Sequence, residues 1–341
     1  MAHYDPLYPV RPSRSRRFFA IMCWAYLAVS VGLWLLLYRV ESWWPATMFM
    51  FSPRWVFALP LLVFVPLALY FRSWWIIVPT ILTALVIGGP VTGFNVPWKG
   101  LATATPAGKP FRIITLNMHY ARTDPGILDQ FVEREQPDAI CIQEWPGSEK
   151  SSFKSDPQWH VHSTQRLFLA SRHPIRNVVK LGDHSMSEHA SAARYELDTP
   201  LGPVHVFSMH LATMREGITD TIKKDREGPV EIQENSILRR AQAAYVAGKA
   251  TGLTGPILMV GDLNTPPESP IFDDVWPDYT DAFRASGWGW GYTFTGSRTK
   301  VRIDHILAGP GWAIKDCRVG PYVGSPHRPV IANLVWPDES R

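Results

Sequence analysis

The sequence predicts an α/β domain of two packed sheets flanked by helices, preceded by three helices that cross a membrane. Three observations support this prediction. Three apolar runs without a charged residue occur before residue 95, each close to the length that a bilayer core requires. From residue 111 onward, short apolar stretches typical of strands alternate with longer amphipathic stretches typical of helices. Polar residues recur at the ends of the predicted strands, where a rigid frame can make side chains converge.

The predicted membrane helices are Phe18–Tyr38 with 21 residues, Trp55–Phe71 with 17 and Trp74–Phe94 with 21. At a rise of about 1.5 Å per residue, such runs cross a hydrocarbon core of about 30 Å. A signal peptide is the alternative for the first run, which is too long for one. A buried core helix is the alternative for the second run. The tryptophans that flank these runs resemble interfacial aromatic residues: Trp43, Trp44, Trp55, Trp74 and Trp75.

Basic residues predict the orientation of these helices. Four arginines precede the first run and two occupy the loop after it: Arg11, Arg14, Arg16 and Arg17 before, Arg39 and Arg54 after. Because positively charged flanks stay in the cytoplasm, the N-terminus is predicted to be cytoplasmic and the C-terminal domain extracytoplasmic. We predict a cytoplasmic tail at 1–17, a transmembrane region at 18–94, a linker at 95–110 and a domain at 111–341.

Charge divides the 341-residue chain unevenly. Residues 1–110 contain 9 of the 34 lysines and arginines but only 2 of the 30 aspartates and glutamates. The rest of the chain holds 25 basic and 28 acidic side chains, a net charge of −3. The C-terminal domain therefore lacks the basic surface expected of a protein that binds nucleic-acid polymers.

Ten elements are predicted in the C-terminal domain. Strands are predicted at Phe111–Leu116, Ala139–Gln143, Arg166–Ala170, Ala193–Leu197, Val204–Met209, Pro256–Val260, Arg302–Leu307 and Val330–Val335, and helices at Asp124–Glu135 and Gln233–Thr251. The three cysteines, Cys23, Cys141 and Cys317, form no CxxC pair, so a zinc or redox motif is not predicted. Buried thiols are the main interpretation, and a disulfide between Cys141 and Cys317 is the alternative.

Six polar residues follow or close an apolar run: Asn117, Glu144, His210, Asp262, Asn264 and Asp304. A single Asp or His in such a place is commonly a turn residue, but several together indicate a shared cleft. Glu144 is a hard oxygen ligand suited to Mg²⁺, or else an exposed residue at a strand end. Asp262 and Asn264, two positions apart, can face one side of an extended segment, or can form an Asx turn.

Three histidines lie in or beside these motifs, and His327 completes the set of candidates. His210 could donate to a phosphoryl oxygen, or could be a hydrogen-bonded core histidine. In the pair Asp304-His305 the side chains point to opposite faces, so only one can reach the cleft, and we predict that it is Asp304. His327 lies in Ser325–Pro329, directly before the final predicted strand.

The chain resembles the endonuclease/exonuclease/phosphatase superfamily, which has the DNase-I-like fold, over about residues 111–338. Its motifs occur here in the order Leu116-Asn117, Gln143-Glu144, His210-Leu211, Gly261-Asp262-Leu263-Asn264, Asp304-His305 and His327-Arg328-Pro329-Val330, and Leu169–Ile175 is similar to another recurrent stretch. The resemblance implies a four-layer α/β sandwich, in which two central mixed sheets are flanked by helices. It also implies a metal-dependent hydrolase, since members cleave phosphodiesters or phosphomonoesters in DNA, RNA, inositol phosphates and sphingomyelin.

The resemblance also implies roles for the candidate residues. Glu144 would hold Mg²⁺, or Mn²⁺ as an alternative, with Asn117 nearby. Asp262 would orient or deprotonate the attacking water, and Asn264 would contact the phosphate. His327 would act on the phosphoryl group with Asp304 orienting its ring, and His210 would stabilise charge on the non-bridging oxygens. These roles agree with metal-assisted, in-line attack of water.

Two positions depart from the family pattern. Pro326 stands where most members have an acidic residue that contributes to the metal site, so a second metal ion is in doubt. His119 stands where some nuclease members have Asp, and it either contacts phosphate or metal or is a plain turn residue.

Taken with the anchor, these residues predict an enzyme that hydrolyses a phosphodiester or phosphomonoester outside the cytoplasm. A lipid or another small phosphodiester is favoured over nucleic acid, because the domain is slightly acidic and is held beside the lipid bilayer. The alternatives are an extracytoplasmic nuclease and a catalytically inactive, membrane-tethered interaction module. No protein partner is identifiable. The aromatic stretch Trp288–Tyr292 either contacts substrate or lipid or packs between strands.

Overall fold

The computed structural model describes residues 14–98, 100, 107–120, 125–147, 152–164, 166–181, 191–200, 202–296 and 299–337. Two compact units are present: residues up to Leu37 together with Arg54–Gly93 form one, and Tyr38–Pro53 together with the chain from Phe94 onward form the other. Arg11 of the predicted tail and Asp124 at the predicted helix start lie outside the described residues.

The helices of the described chain are α1 Arg14–Leu37, α2 Trp44–Phe51, α3 Leu61–Phe71, α4 Trp74–Val86, α5 Pro125–Glu135, α6 Ser152–Ser155, α7 Arg215–Ile222, α8 Gly228–Gly248, α9 Ile271–Val275 and α10 Ala282–Ser286. A 3₁₀ turn at Arg54–Ala58 precedes α3, and a π turn at Ile87–Val91 continues α4. Three helical segments are long and apolar enough to cross a membrane: Arg14–Leu37, Arg54–Phe71 and Trp74–Val91. They coincide closely with the three predicted runs.

The strands are β1 Gly108–Asn117, β2 Ala139–Gln143, β3 His160–Thr164, β4 Leu167–Ser171, β5 Ile175–Leu181, β6 Ser191–Thr199, β7 Gly202–His210, β8 Ile257–Asp262, β9 Thr280–Asp281, β10 Phe294–Thr295, β11 Lys300–Val301, β12 Asp304–Ala308, β13 Ala313–Val319 and β14 Val330–Pro337. They form two sheets of six strands, in the orders β13-β14-β1-β2-β4-β3 and β5-β6-β7-β8-β12-β9, and a small ribbon of β10 and β11. Both large sheets are mixed, because β1–β2 and β7–β8 are parallel pairs.

Apolar residues alternate along the strands, so one core lies between the two sheets and further cores lie on their outer faces. In β1, Ile113 joins the core between the two sheets, while the next residue, Ile114, packs on the outer face together with Phe131 of α5. The outer face of the second sheet is covered by α8, where Val246 packs with Met259 of β8. Side chains of a strand alternate between faces, so helix, sheet, sheet and helix form the predicted four layers.

Several element boundaries differ from the predicted ones. β1 begins at Gly108 rather than Phe111, β12 begins at Asp304 rather than Arg302, and α8 begins at Gly228 rather than Gln233. Six strands were not predicted: β3, β5, β9 and β13 are the four edges of the two large sheets, and β10 and β11 form the small ribbon. The edge strands are short or only partly buried along their length, so their apolar pattern is too weak to detect. The alternative of a Cys141–Cys317 disulfide is wrong, since both thiols are free and buried.

Candidate active site

Two pairs of parallel strands bring the predicted site residues together. In the first sheet, Asn117 of β1 is in register with Gln143 of β2, and Glu144 follows directly. In the second sheet, His210 of β7 is in register with Asp262 of β8. Because parallel strands end at the same edge of a sheet, the polar residues that follow them converge in one place, which is where α/β sheets commonly bind ligands.

The rest of the site comes from β12, the antiparallel neighbour of β8, and from the segment before β14. Asp304, the first residue of β12, pairs with Asp262. The Nδ1 atom of His327, which lies shortly before β14, is 2.9 Å from Asp304 Oδ2. Asp262, Asp304 and His327 each place one potential ligand atom within 4.8 Å of the others, and all three are buried.

Asn117 connects the two sheets across this site. Its Nδ2 donates to Glu144 Oε1 at 3.1 Å and to Asp262 Oδ2 at 2.8 Å. Its Oδ1 accepts a hydrogen bond from the backbone N–H of His119 at 2.7 Å. Since both hydrogens of the amide and its oxygen are used, the side chain has one fixed orientation that holds Glu144 beside Asp262.

Two imidazoles approach the carboxylates. His210 Nε2 lies 3.4 Å from Glu144 Oε1 and 3.8 Å from Asp262 Oδ2. His327 Nε2 lies 3.8 Å from the same Asp262 oxygen. The structure therefore joins in one polar centre six of the seven residues that the sequence nominated, and the seventh, Asn264, lies two residues after Asp262.

The turn after β8 has a backbone that few residues can adopt. Gly261 has a φ of 143°, and a Cβ atom there would lie 1.9 Å from the Met209 carbonyl oxygen, so only glycine fits. Asn264 has a φ of 48°. Its backbone N–H donates to Asp262 Oδ1 at 2.9 Å, and its Nδ2 donates to the Leu211 carbonyl oxygen at 2.8 Å. Asn264 thus orients Asp262, while its contact with phosphate stays a prediction.

Left-handed backbone conformations also occur in the segments that follow β1 and β2. Glu144 has a φ of 47°, and His119 and Tyr120 each have a φ of 50°. Such conformations are costly for residues other than glycine, and they cluster at functional sites where the surroundings hold them in place. The strain at Glu144 is therefore consistent with a residue placed for chemistry.

His305 takes no part in this centre. Its Nδ1 lies 2.9 Å from Asp281 Oδ2 and its Nε2 lies 2.8 Å from the Thr265 carbonyl oxygen. Asp304 faces His327 instead, as the alternation of side chains along a strand requires. His305 is a buried structural residue that links β12 to β9.

The buried charges perturb one another. Burial alone lowers the pKa of His327, but Asp304, Asp262 and Glu144 raise it to about 9. Burial and the neighbouring Asp304 raise the pKa of Asp262, although His327, His210 and Asn117 favour its ionised form. Neighbouring titratable groups whose pKa values are both raised, by burial or by nearby charges, are characteristic of active sites.

The donor set fits a divalent cation. Glu144, Asp262 and Asp304 supply carboxylate oxygens, which are the hard ligands that Mg²⁺ takes. Among the described residues, Asp304 Oδ1 is buried without a hydrogen-bond partner. Two adjacent buried carboxylates repel each other, and a positive charge beside them relieves that repulsion. The site is thus chemically suited to a metal ion beside Glu144 and Asn117.

Sequence reasoning missed the residues that hold His327 in place. Ser325 Oγ donates to the Asn117 carbonyl oxygen at 2.6 Å and accepts from the His327 N–H at 3.1 Å. Thr293 Oγ1 accepts from the backbone N–H groups of Ile303 and Asp304 at 3.0 and 3.1 Å. Their only sequence signal is a hydroxyl in a turn-rich segment, which is too common to single out.

An arginine and a phenylalanine ring, which sequence reasoning also did not predict, border the site on one side. Arg215 Nη1 lies 3.0 Å from His119 Nε2, and its guanidinium carbon lies 5.7 Å from the centre of the Phe294 ring. The rings of Phe294 and His119 lie 5.0 and 6.5 Å from that of His327. His119 and Arg215 therefore border the candidate site, and a contact of His119 with phosphate or metal stays a prediction.

The fold and this arrangement of two histidines, buried carboxylates and a metal-type donor set define a hydrolase of phosphate esters. A family model described as the Endonuclease/Exonuclease/phosphatase family matches residues 114–327, which is more than half of the chain. The chain belongs to the endonuclease/exonuclease/phosphatase family, and it is an enzyme acting on phosphate ester bonds. Members of this family generally depend on a divalent metal ion. A comparison with curated proteins gives no match.

Several solved structures share the fold. A D. rerio TDP2 humanized by 14 mutations has a TM-score of 0.53 and 13% identity, covering 66% of this chain and 98% of that one. The 3′ phosphatase NExo from Neisseria, bound to a product DNA hairpin, has a TM-score of 0.52 and 19% identity over 66% of this chain and 100% of that one. A mannosyl-6-phosphatase from Bacteroides thetaiotaomicron has a TM-score of 0.50 and 16% identity over 66% and 99%. At these identities the likeness shows the fold alone.

Proposed function

We propose that this chain is a membrane-anchored, Mg²⁺-dependent phosphoesterase that hydrolyses a phosphodiester or phosphomonoester outside the cytoplasm. The observation that carries the proposal is the polar centre in which Asn117 holds Glu144 and Asp262 together while Asp304 holds His327. A lipid or another small phosphodiester is the favoured substrate class, because the anchor keeps a slightly acidic domain beside the bilayer.

Each residue of the centre has a role that its surroundings support. Asp262 accepts a proton from the attacking water, since Asn117 and Asn264 orient its two oxygens. His327 directs Nδ1 to Asp304, so its Nε2 faces the site and can donate to the phosphoryl group. His210 Nε2 can donate to a non-bridging oxygen. A metal ion bound beside Glu144 would neutralise the negative charge of the phosphate.

The extracytoplasmic location has support from the loop between the first two candidate spans. Residues 38–53 of this loop belong to the same compact unit as the catalytic domain, and α2 packs on α8. The loop and the domain must therefore lie on one side of a membrane. A hairpin of the two candidate spans between Arg54 and Val91 would return the chain to that side, and the arginine bias favours the outer side.

The first test is loss of the predicted metal ligand. Glu144→Gln keeps the shape of the side chain and removes its charge, so we expect hydrolysis of bis(p-nitrophenyl) phosphate to fall by about 10²-fold or more. The matched control is Glu133→Gln, at an exposed position of α5, which should keep parental activity. EDTA should abolish the activity of the parent, and Mg²⁺ should restore it.

The outcomes separate the alternatives. Full activity in EDTA would refute a metal-dependent mechanism. A parent that hydrolyses no aryl ester, lipid, nucleic acid or phosphomonoester with Mg²⁺ or Mn²⁺ present would favour the inactive interaction module. Turnover of nucleic acid alone in that screen would favour the extracytoplasmic nuclease.

A further inference from the structure

The loop between the first two candidate membrane helices inserts a charged residue into the catalytic domain. Glu41 is buried, and its side chain is only 7% exposed. Its backbone N–H donates to Thr47 Oγ1 at 3.0 Å, and its carbonyl oxygen accepts from Gln233 Nε2 at 2.7 Å. Ser269 Oγ donates to its carboxylate. Because Glu41 also has a φ of 70°, the surrounding residues must hold it firmly.

The carboxylate of Glu41 meets the most deeply buried cation of the described catalytic domain. The side chain of Arg239, on α8, has 0% exposure, and its Nη2 lies 3.5 Å from Glu41 Oε1. Among the described residues, no other carboxylate lies within 4.0 Å of Arg239. Removing a guanidinium from water is costly unless it is paired. Glu41 is the nearest counter-charge of Arg239, and Asp262 also favours its charged form from farther away.

Arg239 in turn holds the catalytic turn. Its Nη1 donates to the Asn264 carbonyl oxygen at 3.0 Å. Asn264 has a left-handed backbone, and its N–H orients Asp262 Oδ1. A chain of direct contacts therefore runs from the loop after the first membrane helix, through Glu41 and Arg239, to the residue that orients Asp262.

We propose that Glu41 and Arg239 are a positioning pair for this active site. The loop between the first two candidate membrane helices, which contains Glu41, therefore contributes to catalysis by positioning Asp262. The inference rests on the proposed function insofar as it concerns catalysis. Without Glu41, Arg239 would lose its nearest counter-charge, and its hydrogen bond to the Asn264 carbonyl oxygen would weaken. Asn264 would then no longer hold Asp262 in the orientation needed for proton transfer. A displacement of the order of 1 Å in such a group can cost about 10²-fold in rate.

The experiment uses the full chain in detergent or nanodiscs. Glu41→Gln keeps the shape and removes the charge, and it should lower kcat by about 10- to 100-fold with KM changed less than about 2-fold. The control is Glu234→Gln, at an exposed position of the same α8 helix, which should match the parent. Hydrogen exchange of the peptide that contains Asp262–Thr265 should rise in Glu41→Gln without global unfolding.

A double variant separates positioning from packing. Glu41→Met with Arg239→Met removes both charges, and a buried ion pair can often be replaced by apolar residues without loss of stability. The Asn264 carbonyl oxygen still lacks its donor, so Tm should return near the parental value while kcat stays low. A double variant with parental kcat, or Glu41→Gln with parental kcat and parental exchange, would overturn the proposal. If the parent hydrolyses no substrate, the proposed function fails, yet the exchange measurement still decides the coupling.

Discussion

At the scale of single residues, the site depends on a few side chains with one permitted orientation. Asn117 uses its amide hydrogens for Glu144 and Asp262, and His327 uses Nδ1 for Asp304. The imidazole and the carboxylates cannot rotate without breaking buried hydrogen bonds, each of which is expensive to leave unmade. Preorganisation of this kind lowers the reorganisation needed during reaction.

His327→Ala tests whether this imidazole acts on the phosphoryl group. We expect a loss of about 10²- to 10⁴-fold in kcat, because proton transfer or charge stabilisation is lost. Asp304→Asn should cost less, because the His327 imidazole is still present and only its orientation and charge change. Steady-state kinetics on the aryl diester measures both, with His160→Ala at an exposed position of β3 as control.

Pro326 provides a second comparison within that experiment. The family pattern has a carboxylate here, whereas the side chain of Pro326 offers no ligand atom, and its carbonyl oxygen accepts from Thr295 N–H at 3.0 Å. Pro326→Ala frees the backbone that aims His327, so we expect a fall in kcat smaller than that of His327→Ala. Near-parental turnover of His327→Ala would contradict the family roles for this chain.

At the scale of elements, a buried ion network joins the short edge strand β9 to β12 and α10. Arg302 Nη1 donates to Asp281 Oδ2 at 2.7 Å, and His305 Nδ1 lies 2.9 Å from the same oxygen. Asp281 Oδ1 accepts from the backbone N–H of Arg284 at 2.9 Å and so caps α10. Burial alone raises the pKa of Asp281, but Arg302 and His305 hold it well below its usual range.

Asp281→Asn should therefore lower stability in a pH-dependent way. A carboxyl whose pKa is depressed in the folded state contributes stability above its unfolded pKa, near 4, and that contribution is lost as the pH falls further. Breaking this buried pair should reduce the free energy of unfolding at pH 7 by about 3–5 kcal/mol. The difference from the parent should shrink below about pH 4.

Thermal unfolding of the full chain at pH 7 and at pH 3–4 measures this difference. Asp278→Asn, at an exposed position just before β9, is the matched control and should unfold like the parent. A stability loss of equal size at both pH values would show that Asp281 acts by packing rather than by its charge.

At the scale of the whole chain, topology is the property most open to a direct test. The charge bias and three spans predict that the C-terminus lies outside the cytoplasm. Alkaline phosphatase fused after Arg341 should be active in a bacterial host, because it matures only after export. A green fluorescent protein fused there should be dark. The reverse pattern would refute the extracytoplasmic location and leave the phosphoesterase proposal intact.

Most residues of the candidate site were predictable from the sequence alone, because the family motifs and the strand ends mark the same residues. Asn117, Glu144, His210 and Asp262 each close or follow a buried strand and Asp304 begins one, and burial on both faces gives such strands a strong apolar pattern. The edge strands, Ser325 and Thr293 were not predictable, since a half-exposed strand or a hydroxyl in a turn has no distinctive local pattern.

The sequence by itself determined the three apolar runs that are long enough to cross a membrane, the two-sheet α/β domain and the polar residues at the strand ends, because each depends on local hydrophobicity and spacing. Only the tertiary structure decided which side chains meet. Glu41 and Arg239 are 198 positions apart, and no local pattern pairs a loop glutamate with a helix arginine. Their contact depends on how α2 packs on α8, and packing over long sequence separations is a property of the folded chain as a whole.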